Sequence, residues 1–191
     1  MKIGICGSST NDQAILSASM LLGKAIGERK HDVIIGANTH LPYLIAATAY
    51  KLGSRVIAYA PSTGRWNGDP ENIFNEVHFL PEVMRTYSSD VRTKIRNMIM
   101  VGNMDAAIFV AGRWGTTTEF GAARDFGIPV AMLKGSSGAA DALPRYLQEI
   151  EGKYAFPPPV YSDDPAFIVA ELEAQFAEKQ NALLRDDMSE D

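Results

Sequence analysis

Apolar and polar positions along the chain follow two alternating patterns. Short, unbroken apolar runs such as Ala106–Val110 have the length of buried β-strands, whereas segments such as Asp12–Arg29 repeat apolar residues every three or four positions, as an amphipathic helix does. The predicted strands are Lys2–Cys6, Asp32–Ile35, Arg55–Ala60, Ile73–Leu80, Ala106–Val110, Pro129–Leu133 and Val160–Tyr161. The predicted helices are Asp12–Arg29, Leu41–Leu52, Glu82–Met104, Thr116–Phe126, Ala139–Glu149 and Asp164–Leu184.

The regular alternation of strands with helices predicts the fold class. It indicates an α/β fold with a doubly wound, mostly parallel sheet and helices on both faces. We expect one Rossmann-like domain over residues 1–184 and an acidic, disordered tail over residues 185–191. Because ligands of such folds bind beyond the carboxyl ends of the strands, the loops that follow strands are the candidate sites.

The loop after the predicted strand Ala106–Val110 has the strongest chemical pattern. Gly112 and Gly115 favour a turn whose backbone N–H groups converge at the start of a helix, where the helix dipole attracts an anion. Glu119 follows inside that helix, so the pattern indicates a nucleotide site with a phosphate beside a carboxylate. Thr116 and Glu119 also fit a capping box with Thr116 as N-cap, although such a box does not need the glycines.

Three other loops have weaker patterns, and each leaves two interpretations open. Gly7-Ser8-Ser9-Thr10 offers small residues and hydroxyls to an anion, or simply caps the following helix. Gly36-Ala37-Asn38-Thr39-His40 has fewer glycines, and His40 fits a polar loop residue better than a ligand donor. Lys134-Gly135-Ser136-Ser137-Gly138 adds amide donors to the site or is an ordinary connection.

The predicted helix Glu82–Met104 has a basic part and a methionine-rich part. Arg92 and Arg96 lie one helical turn apart and share a face, and a solvated basic face is the usual explanation for such a pair. The apolar residues near the end of the helix are predicted to pack in the core rather than to bind a ligand. They are Met98, Ile99, Met100 and Met104.

Composition and charge narrow the classes of partner. The chain has 191 residues and a formal net charge of −5, which argues against a nucleic-acid polymer but allows a mononucleotide. The single cysteine, Cys6, rules out an intramolecular disulfide, and we expect an inert core thiol. The histidines show no metal-ligand spacing. No apolar stretch approaches the roughly 20 residues of a membrane span, so we expect a cytoplasmic protein without a membrane partner.

Taken together, these segments resemble the Lonely Guy (LOG) family, which lies within the SLOG superfamily of Rossmann-like nucleotide-binding proteins. Cys6-Gly7-Ser8-Ser9 matches the family's Cys-Gly-Ser-Ser start, and Ala111–Glu119 aligns with its signature Pro-Gly-Gly-x-Gly-Thr-x-x-Glu. The family's Arg-Lys pair and the methionine after it fall on Arg96, Asn97 and Met100. Residues 134–143 and 163–165 also show some similarity to molybdenum-cofactor carrier-like proteins.

The resemblance implies a phosphoribohydrolase, which cleaves the N-glycosidic bond of a nucleoside 5′-monophosphate to release the base and ribose 5-phosphate. By that resemblance, Glu119 stabilises the positive sugar centre at the anomeric carbon, and Arg96 positions the phosphate, the ribose or Glu119. The resemblance also implies that the activity needs no metal or other cofactor and that the protein is a homodimer. The residues expected to bind the nucleotide and its phosphate are Gly7, Ser8, Ser9, Gly36, Asn38, Gly112, Arg113, Trp114, Gly115, Thr116 and Thr117.

Several positions depart from the family pattern. Ala111 replaces the proline of the signature, Arg113 replaces its second glycine, and Asn97 replaces the lysine of the Arg-Lys pair. Arg113 either donates directly to phosphate or fills the space where phosphate would lie. Three hypotheses follow: hydrolysis of a nucleoside monophosphate, non-catalytic binding or carriage of a nucleotide or a phosphorylated pterin-type cofactor, and a structural relic with a vestigial pocket.

Overall fold

A computed structural model describes the backbone of residues 1–150 and 157–187, and the side chains of residues 1–149 and 157–185. The strands are β1 (Lys2–Gly7), β2 (Asp32–Gly36), β3 (Val56–Tyr59), β4 (Glu76–His78), β5 (Ala106–Val110), β6 (Val130–Leu133) and β7 (Val160–Ser162). The helices are α1 (Gln13–Glu28), α2 (Leu41–Lys51), α3 (Ser89–Val101), α4 (Trp114–Asp125), α5 (Gly138–Ile150) and α6 (Pro165–Asp187), with a 3-10 helix at Glu82–Thr86.

The described strands form one parallel sheet in the order β4-β3-β2-β1-β5-β6-β7. One apolar cluster packs α1, α2 and α6 against one face, and another packs α3, α4 and α5 against the other. The predicted doubly wound α/β fold is therefore confirmed. All five residues of β5 are buried, because a central parallel strand is covered on both faces and has no solvent side to alternate with.

The strand order also locates the place where this fold class binds ligands. From β1 the chain builds outward through β2, β3 and β4, and then β5 starts the other half of the sheet on the opposite side of β1. The loops that follow β1 and β5 therefore run to opposite faces of the sheet. A crevice forms between them at the carboxyl ends of the strands, which is the usual ligand position.

The strand β4 is shorter than the predicted segment Ile73–Leu80. The backbone N–H groups of Ile73 and Phe74 donate to the carboxylate of Asp69, at 2.9 and 2.8 Å, instead of to a neighbouring strand. Pairing with β3 begins only at Glu76. An apolar pattern cannot distinguish a residue that pairs in a sheet from one that enters the core beside a turn.

The predicted helix Glu82–Met104 is divided into the 3-10 helix and α3. The break lies at Ser88, whose hydroxyl accepts a hydrogen bond from the Val91 N–H and so caps the start of α3. The final helix, α6, runs to Asp187, and the remaining tail residues 188–191 lie outside the described part of the chain. The boundary between domain and tail stays a prediction. Within the described residues, no helix is both long and apolar enough to span a bilayer.

Candidate functional site

A cavity of about 210 Å³ lies in the crevice beside the carboxyl end of β1. Its walls come from the end of β1, the loop after β2, one face of α3 and the start of α4. The sheet reverses its strand order at this position, so the cavity occupies the place where the fold class predicts a ligand.

The turn between β5 and α4 is the predicted anion loop. Ala111 (φ 54°) and Gly112 (φ 102°) both adopt the left-handed region, and a side chain at position 112 would overlap Thr116. The Ala111 N–H donates to the Ser136 hydroxyl at 2.9 Å, and the Gly112 N–H donates to the Ser8 hydroxyl at 3.2 Å. These two amides therefore hold the shape of the loop.

Helix α4 begins two residues earlier than predicted. It starts at Trp114, with Arg113 as an N-cap that makes no side-chain capping hydrogen bond. The capping-box interpretation is wrong, because Thr116 lies inside the helix and its N–H donates to the carbonyl of Arg113 at 2.9 Å. The first amides of a helix have no acceptor within the helix, and the dipole adds positive potential there. The start of α4 is thus suited to an anion.

Arg96 is buried beside this helix end. Only 7% of the residue is exposed, its Nε has no hydrogen-bond partner, and its Nη1 lies 3.7 Å from the sulfur of Met100. The guanidinium packs so closely on Gly36 that a Cβ at that position would overlap Nη1. Burial lowers the pKa of Arg96, while the nearby Glu119 raises it. A buried guanidinium nitrogen without an acceptor is costly, and an anionic ligand would supply the acceptor that Nε lacks among the described residues.

Glu119 lies on the face of α4 that points into the cavity and is 8% exposed. Burial raises the pKa of Glu119 to about 7, although Arg96, a hydrogen bond from Cys6 and the charge of Lys94 all oppose the shift. The carboxyl group is therefore about half ionised at neutral pH. A carboxyl group with a pKa near the working pH is typical of a functional site.

Cys6 is buried, as expected, and burial followed by the charge of Glu119 raises the pKa of its thiol well above the usual value. A protonated thiol fits the expected unreactive core cysteine. Its hydrogen bond to Glu119, however, also makes Cys6 part of the cavity wall. The sequence pattern placed Cys6 on a strand but did not show which helix lies opposite it.

The charges around the cavity are mostly positive. Lys94, Arg96 and Arg113 line it together with the single carboxyl group of Glu119. Arg113 is exposed and lines the cavity, so its guanidinium is placed where it can donate to a phosphate. Three cations against one carboxyl group favour a ligand that carries two negative charges, as a phosphate monoester does at neutral pH.

The structure brings most of the predicted site residues together. The cavity is lined by the predicted catalytic pair, Arg96 and Glu119, and by several predicted nucleotide-binding residues, namely Gly7, Ser8, Gly36, Asn38, Arg113, Gly115 and Thr116. Four others do not line it. Ser9 is exposed on the loop outside, and Gly112 shapes the turn. Trp114 and Thr117 lie on the opposite face of α4.

The supporting loops have more specific roles than their patterns suggested. The interpretation that Gly7–Thr10 caps the following helix is wrong, because α1 begins later and Asp12 is its N-cap. Gly7 makes room for the backbone of β5, since a side chain there would overlap the Val110 carbonyl. Asn38 accepts a hydrogen bond from the His40 N–H at 3.0 Å, and His40 itself is exposed.

The loop after β6 does not supply free amides to the cavity. The N–H groups of Gly135 and Ser137 donate to the carboxylate of Asp141, at 2.8 and 2.7 Å. The Ala139 and Ala140 N–H groups donate to the carbonyls of Gly112 and Ala111. This loop is therefore a connection that supports the anion turn from behind.

The sequence did not predict that a whole face of α3 lines the cavity. Thr93, Lys94, Arg96, Asn97 and Met100 all line the cavity, so the expectation of a solvated basic face is wrong for Arg96. The spacing of positions 93, 96, 97 and 100 is the signal that these residues share a face. The predicted packing is confirmed for two of the apolar residues, Met100 and Met104, whereas Met98 and Ile99 are exposed.

A second depression lies between α4 and α5. It has a volume of about 600 Å³ and is lined largely by apolar side chains, among them Trp114, Phe120, Leu143 and Tyr146. Trp114 is 85% exposed. We call this depression the α4–α5 groove.

Comparison with known families agrees with this architecture. A model of the SLOG cluster4 family matches residues 1–156. The chain belongs to the SLOG cluster4 family. This finding confirms the resemblance to the SLOG superfamily that the motifs around Cys6, Arg96 and Ala111–Glu119 indicated, and it supports a nucleotide-binding Rossmann-like protein.

Individual relatives support the same fold. The chain is 28% identical over 134 residues to an uncharacterized protein of Archaeoglobus fulgidus, which covers 70% of this chain and 80% of that protein. It is also similar to the structure of the molybdenum cofactor carrier protein of Chlamydomonas reinhardtii, with a TM-score of 0.69 and 16% identity, covering 92% of this chain and 98% of the other.

Another similar structure belongs to a protein that binds DNA, and it therefore concerns the expectation that this chain binds no nucleic-acid polymer. DNA processing protein A of Helicobacter pylori, whose structure describes a single-stranded DNA binding mode, matches with a TM-score of 0.64 and 14% identity, covering 91% of this chain and 81% of the other. At such identities the likeness shows the fold alone. The expectation that this chain binds no nucleic-acid polymer therefore has no support from its structural neighbours, and it stays a prediction.

Proposed function

We propose that this SLOG cluster4 protein hydrolyses the N-glycosidic bond of a nucleoside 5′-monophosphate. One observation carries the proposal: the buried guanidinium of Arg96, whose Nε has no hydrogen-bond partner among the described residues, lies near the buried carboxyl group of Glu119, whose pKa is raised to about 7. An anion at the start of α4 would satisfy the first group. The second would then face the sugar of the same ligand.

In this mechanism the phosphate binds at the first turn of α4, with Arg113 and Lys94 beside it. Fixing the phosphate orients the sugar and removes much of the entropic cost of reaching the reactive geometry. Arg96 contacts the phosphate or the sugar from the opposite wall, on α3. The side chains that bind the ligand are thus separate from the carboxyl group that acts on it.

The reaction itself needs a negative charge near the anomeric carbon. The bond from C1′ to the base nitrogen breaks, its electron pair leaves with the base, and a proton is taken up by that nitrogen. A water oxygen bonds to C1′ and loses a proton, so one water is consumed overall. The ionised Glu119 stabilises the positive sugar centre and orients the water, in a cavity where burial strengthens electrostatic effects.

The test is an incubation with a panel of nucleoside 5′-monophosphates, with free base and ribose 5-phosphate measured. We expect turnover by the wild type and a loss of about 10²-fold or more for Glu119→Gln, in line with the usual contribution of a positioned acid or base. Asp125→Asn is the matched control, because it removes an exposed carboxyl group from the other face of the same helix. Turnover that survives Glu119→Gln at the wild-type rate would contradict the proposal.

A second candidate function is non-catalytic carriage of a phosphorylated cargo. The observation that favours it is the similarity in fold to a molybdenum cofactor carrier, together with the excess of cations around the cavity. A carrier would be stabilised against heat by its ligand without any turnover. The same panel therefore separates the two functions, provided that melting temperatures are recorded beside product formation.

A further inference from the structure

Asn97 is a buried polar group that the proposed mechanism does not use. It lies on α3, is 6% exposed and lines the cavity, and its side-chain oxygen, Oδ1, has no hydrogen-bond partner. An unpaired polar atom in a protein interior loses its hydrogen bonds to water without gaining any in return, which is unfavourable. Other buried polar atoms of the described residues are also unpaired, but of these only Asn97 Oδ1 and Arg96 Nε belong to residues that line the cavity, where a ligand can supply the partner.

The phosphate of the ligand cannot supply this partner. Oδ1 of Asn97 is an acceptor and needs a donor, whereas an ionised phosphate monoester offers acceptor oxygens only. The charged groups around the cavity, Lys94, Arg96 and Arg113, are all donors suited to phosphate. The cavity therefore offers two kinds of group to a ligand. Its charged donors suit an anion, and the acceptor Oδ1 of Asn97 suits a hydroxyl or amino group.

We infer that Asn97 binds a pair of neighbouring hydroxyl groups on the sugar of the ligand. A carboxamide has an acceptor oxygen and a donor nitrogen side by side, so it accepts from one hydroxyl and donates to the next. Ribose carries such a pair at positions 2 and 3, and deoxyribose lacks one of the two. The site therefore selects ribose phosphates over deoxyribose phosphates. This inference rests on the proposed function in one respect only: it assumes that the ligand is a sugar phosphate.

The test measures binding and needs no turnover. Ribose 5-phosphate, 2-deoxyribose 5-phosphate and inorganic phosphate are titrated by calorimetry into the wild type, Asn97→Ala and a control, Asn103→Ala. Asn103 lies just beyond the end of the same helix, is exposed, and donates to the Ile99 carbonyl at 2.7 Å, away from the cavity. Asn97→Ala loses no protein hydrogen bond at Oδ1, so it is expected to fold.

The wild type and Asn103→Ala should bind ribose 5-phosphate about 10-fold or more tightly than 2-deoxyribose 5-phosphate, because a site built for a hydroxyl rejects the analogue without it. Asn97→Ala should bind both sugars equally and bind inorganic phosphate as the wild type does. Without ligand, Asn97→Ala should melt no lower than the wild type, a result that a purely structural asparagine would not give.

Three results would overturn the inference. Equal binding of the two sugars by the wild type would do so and would leave the phosphate site and the proposed hydrolysis intact. A preference for ribose that persists in Asn97→Ala would assign the selection to another residue. If none of the three compounds binds, the phosphate site fails as well, and the proposed function fails with it.

Discussion

The two faces of helix α4 line two very different depressions. Gly115, Thr116 and Glu119 face the cavity of about 210 Å³, whereas Trp114 and Thr117 face the α4–α5 groove of about 600 Å³. The groove is larger and apolar. The cavity is smaller, but it contains a buried guanidinium nitrogen and a buried amide oxygen that have no partner.

This difference shows that volume alone does not identify the functional site. Apolar side chains in an open groove make no demand for a particular ligand, and exposed apolar residues are common on protein surfaces. Unpaired polar groups in a buried cavity make a specific demand, because their desolvation has a cost that only a complementary partner removes. Five predictions, ordered by expected effect, test this contrast between the cavity and the groove.

The largest effect on ligand affinity is expected for Arg96→Met. Loss of the buried guanidinium should weaken binding of ribose 5-phosphate by roughly 30- to 100-fold, because hydrogen bonds to charged groups contribute about 2–3 kcal/mol. The ligand-free protein should lose little stability, since Arg96 Nε has no hydrogen-bond partner among the described residues and Nη1 has only its weak contact with the Met100 sulfur. Calorimetry and thermal unfolding measure the two effects. A large loss of stability with unchanged affinity would make Arg96 a structural residue.

Below the pKa of Glu119, kcat/KM should rise about tenfold for each unit of pH. The pKa of Glu119 is raised to about 7, and the ionised form is the active one, so kcat/KM should rise with pH up to about 7 and then level off. A profile that falls over this range would assign the active form to the protonated acid.

The same pKa shift has a consequence for stability, with a definite sign. The folded protein holds the Glu119 proton more tightly than the unfolded chain, whose pKa is near 4.5. The contribution of Glu119 to stability is therefore greatest at low pH, and it is lost as the pH rises from about 4.5 through about 7. Urea unfolding of wild type and Glu119→Gln should show that the wild type alone has this slope.

A smaller effect is expected for a matched pair of glycine substitutions. Gly36→Ala forces the Arg96 guanidinium to move, so we expect about a 10-fold loss of affinity for ribose 5-phosphate with little loss of stability, because the displaced group is the end of a flexible side chain. Gly121→Ala, on the groove side of α4, meets no atom and should raise stability by up to about 1 kcal/mol at unchanged affinity. If both substitutions changed the affinity equally, the cavity and the α4–α5 groove would not differ in their importance for binding.

The smallest effect is expected for Trp114→Ala. This side chain is 85% exposed on the groove side, so its loss should alter affinity for ribose 5-phosphate by less than about twofold and stability by less than about 0.5 kcal/mol. Titration and thermal unfolding provide the check. A strong loss of binding would extend the site from the cavity to the groove.

The fold was largely predictable because it depends on local periodicity. The prediction for β5 matched at both ends, since a central parallel strand is an unbroken apolar run between polar turns. The β4 segment failed because the side chain of Asp69 takes the amides that a strand would use. A side chain that competes for backbone donors leaves little trace in an apolar pattern.

The site was less predictable because it depends on contacts between distant segments. Glu119 was identified from the loop pattern and Arg96 through a family resemblance, whereas the burial of both residues and the shifts in their pKa come only from the fold. The hydrogen bond between Ser8 and Gly112 joins residues 104 positions apart, which no local pattern records. Asn97 appeared in the sequence as a departure from the family motif, and only its burial showed that it needs a partner.

The left-handed turn at Ala111 and Gly112 has a consequence for the kinetics of ligand binding. An alanine in this conformation carries a strain of about 1–2 kcal/mol, and Ser136, Ala139 and Ala140 hold the turn in place through hydrogen bonds. The energetic cost of this strain arises during folding and not during ligand binding. The loop is therefore already ordered when a ligand arrives, so binding loses little loop entropy and needs no slow backbone rearrangement.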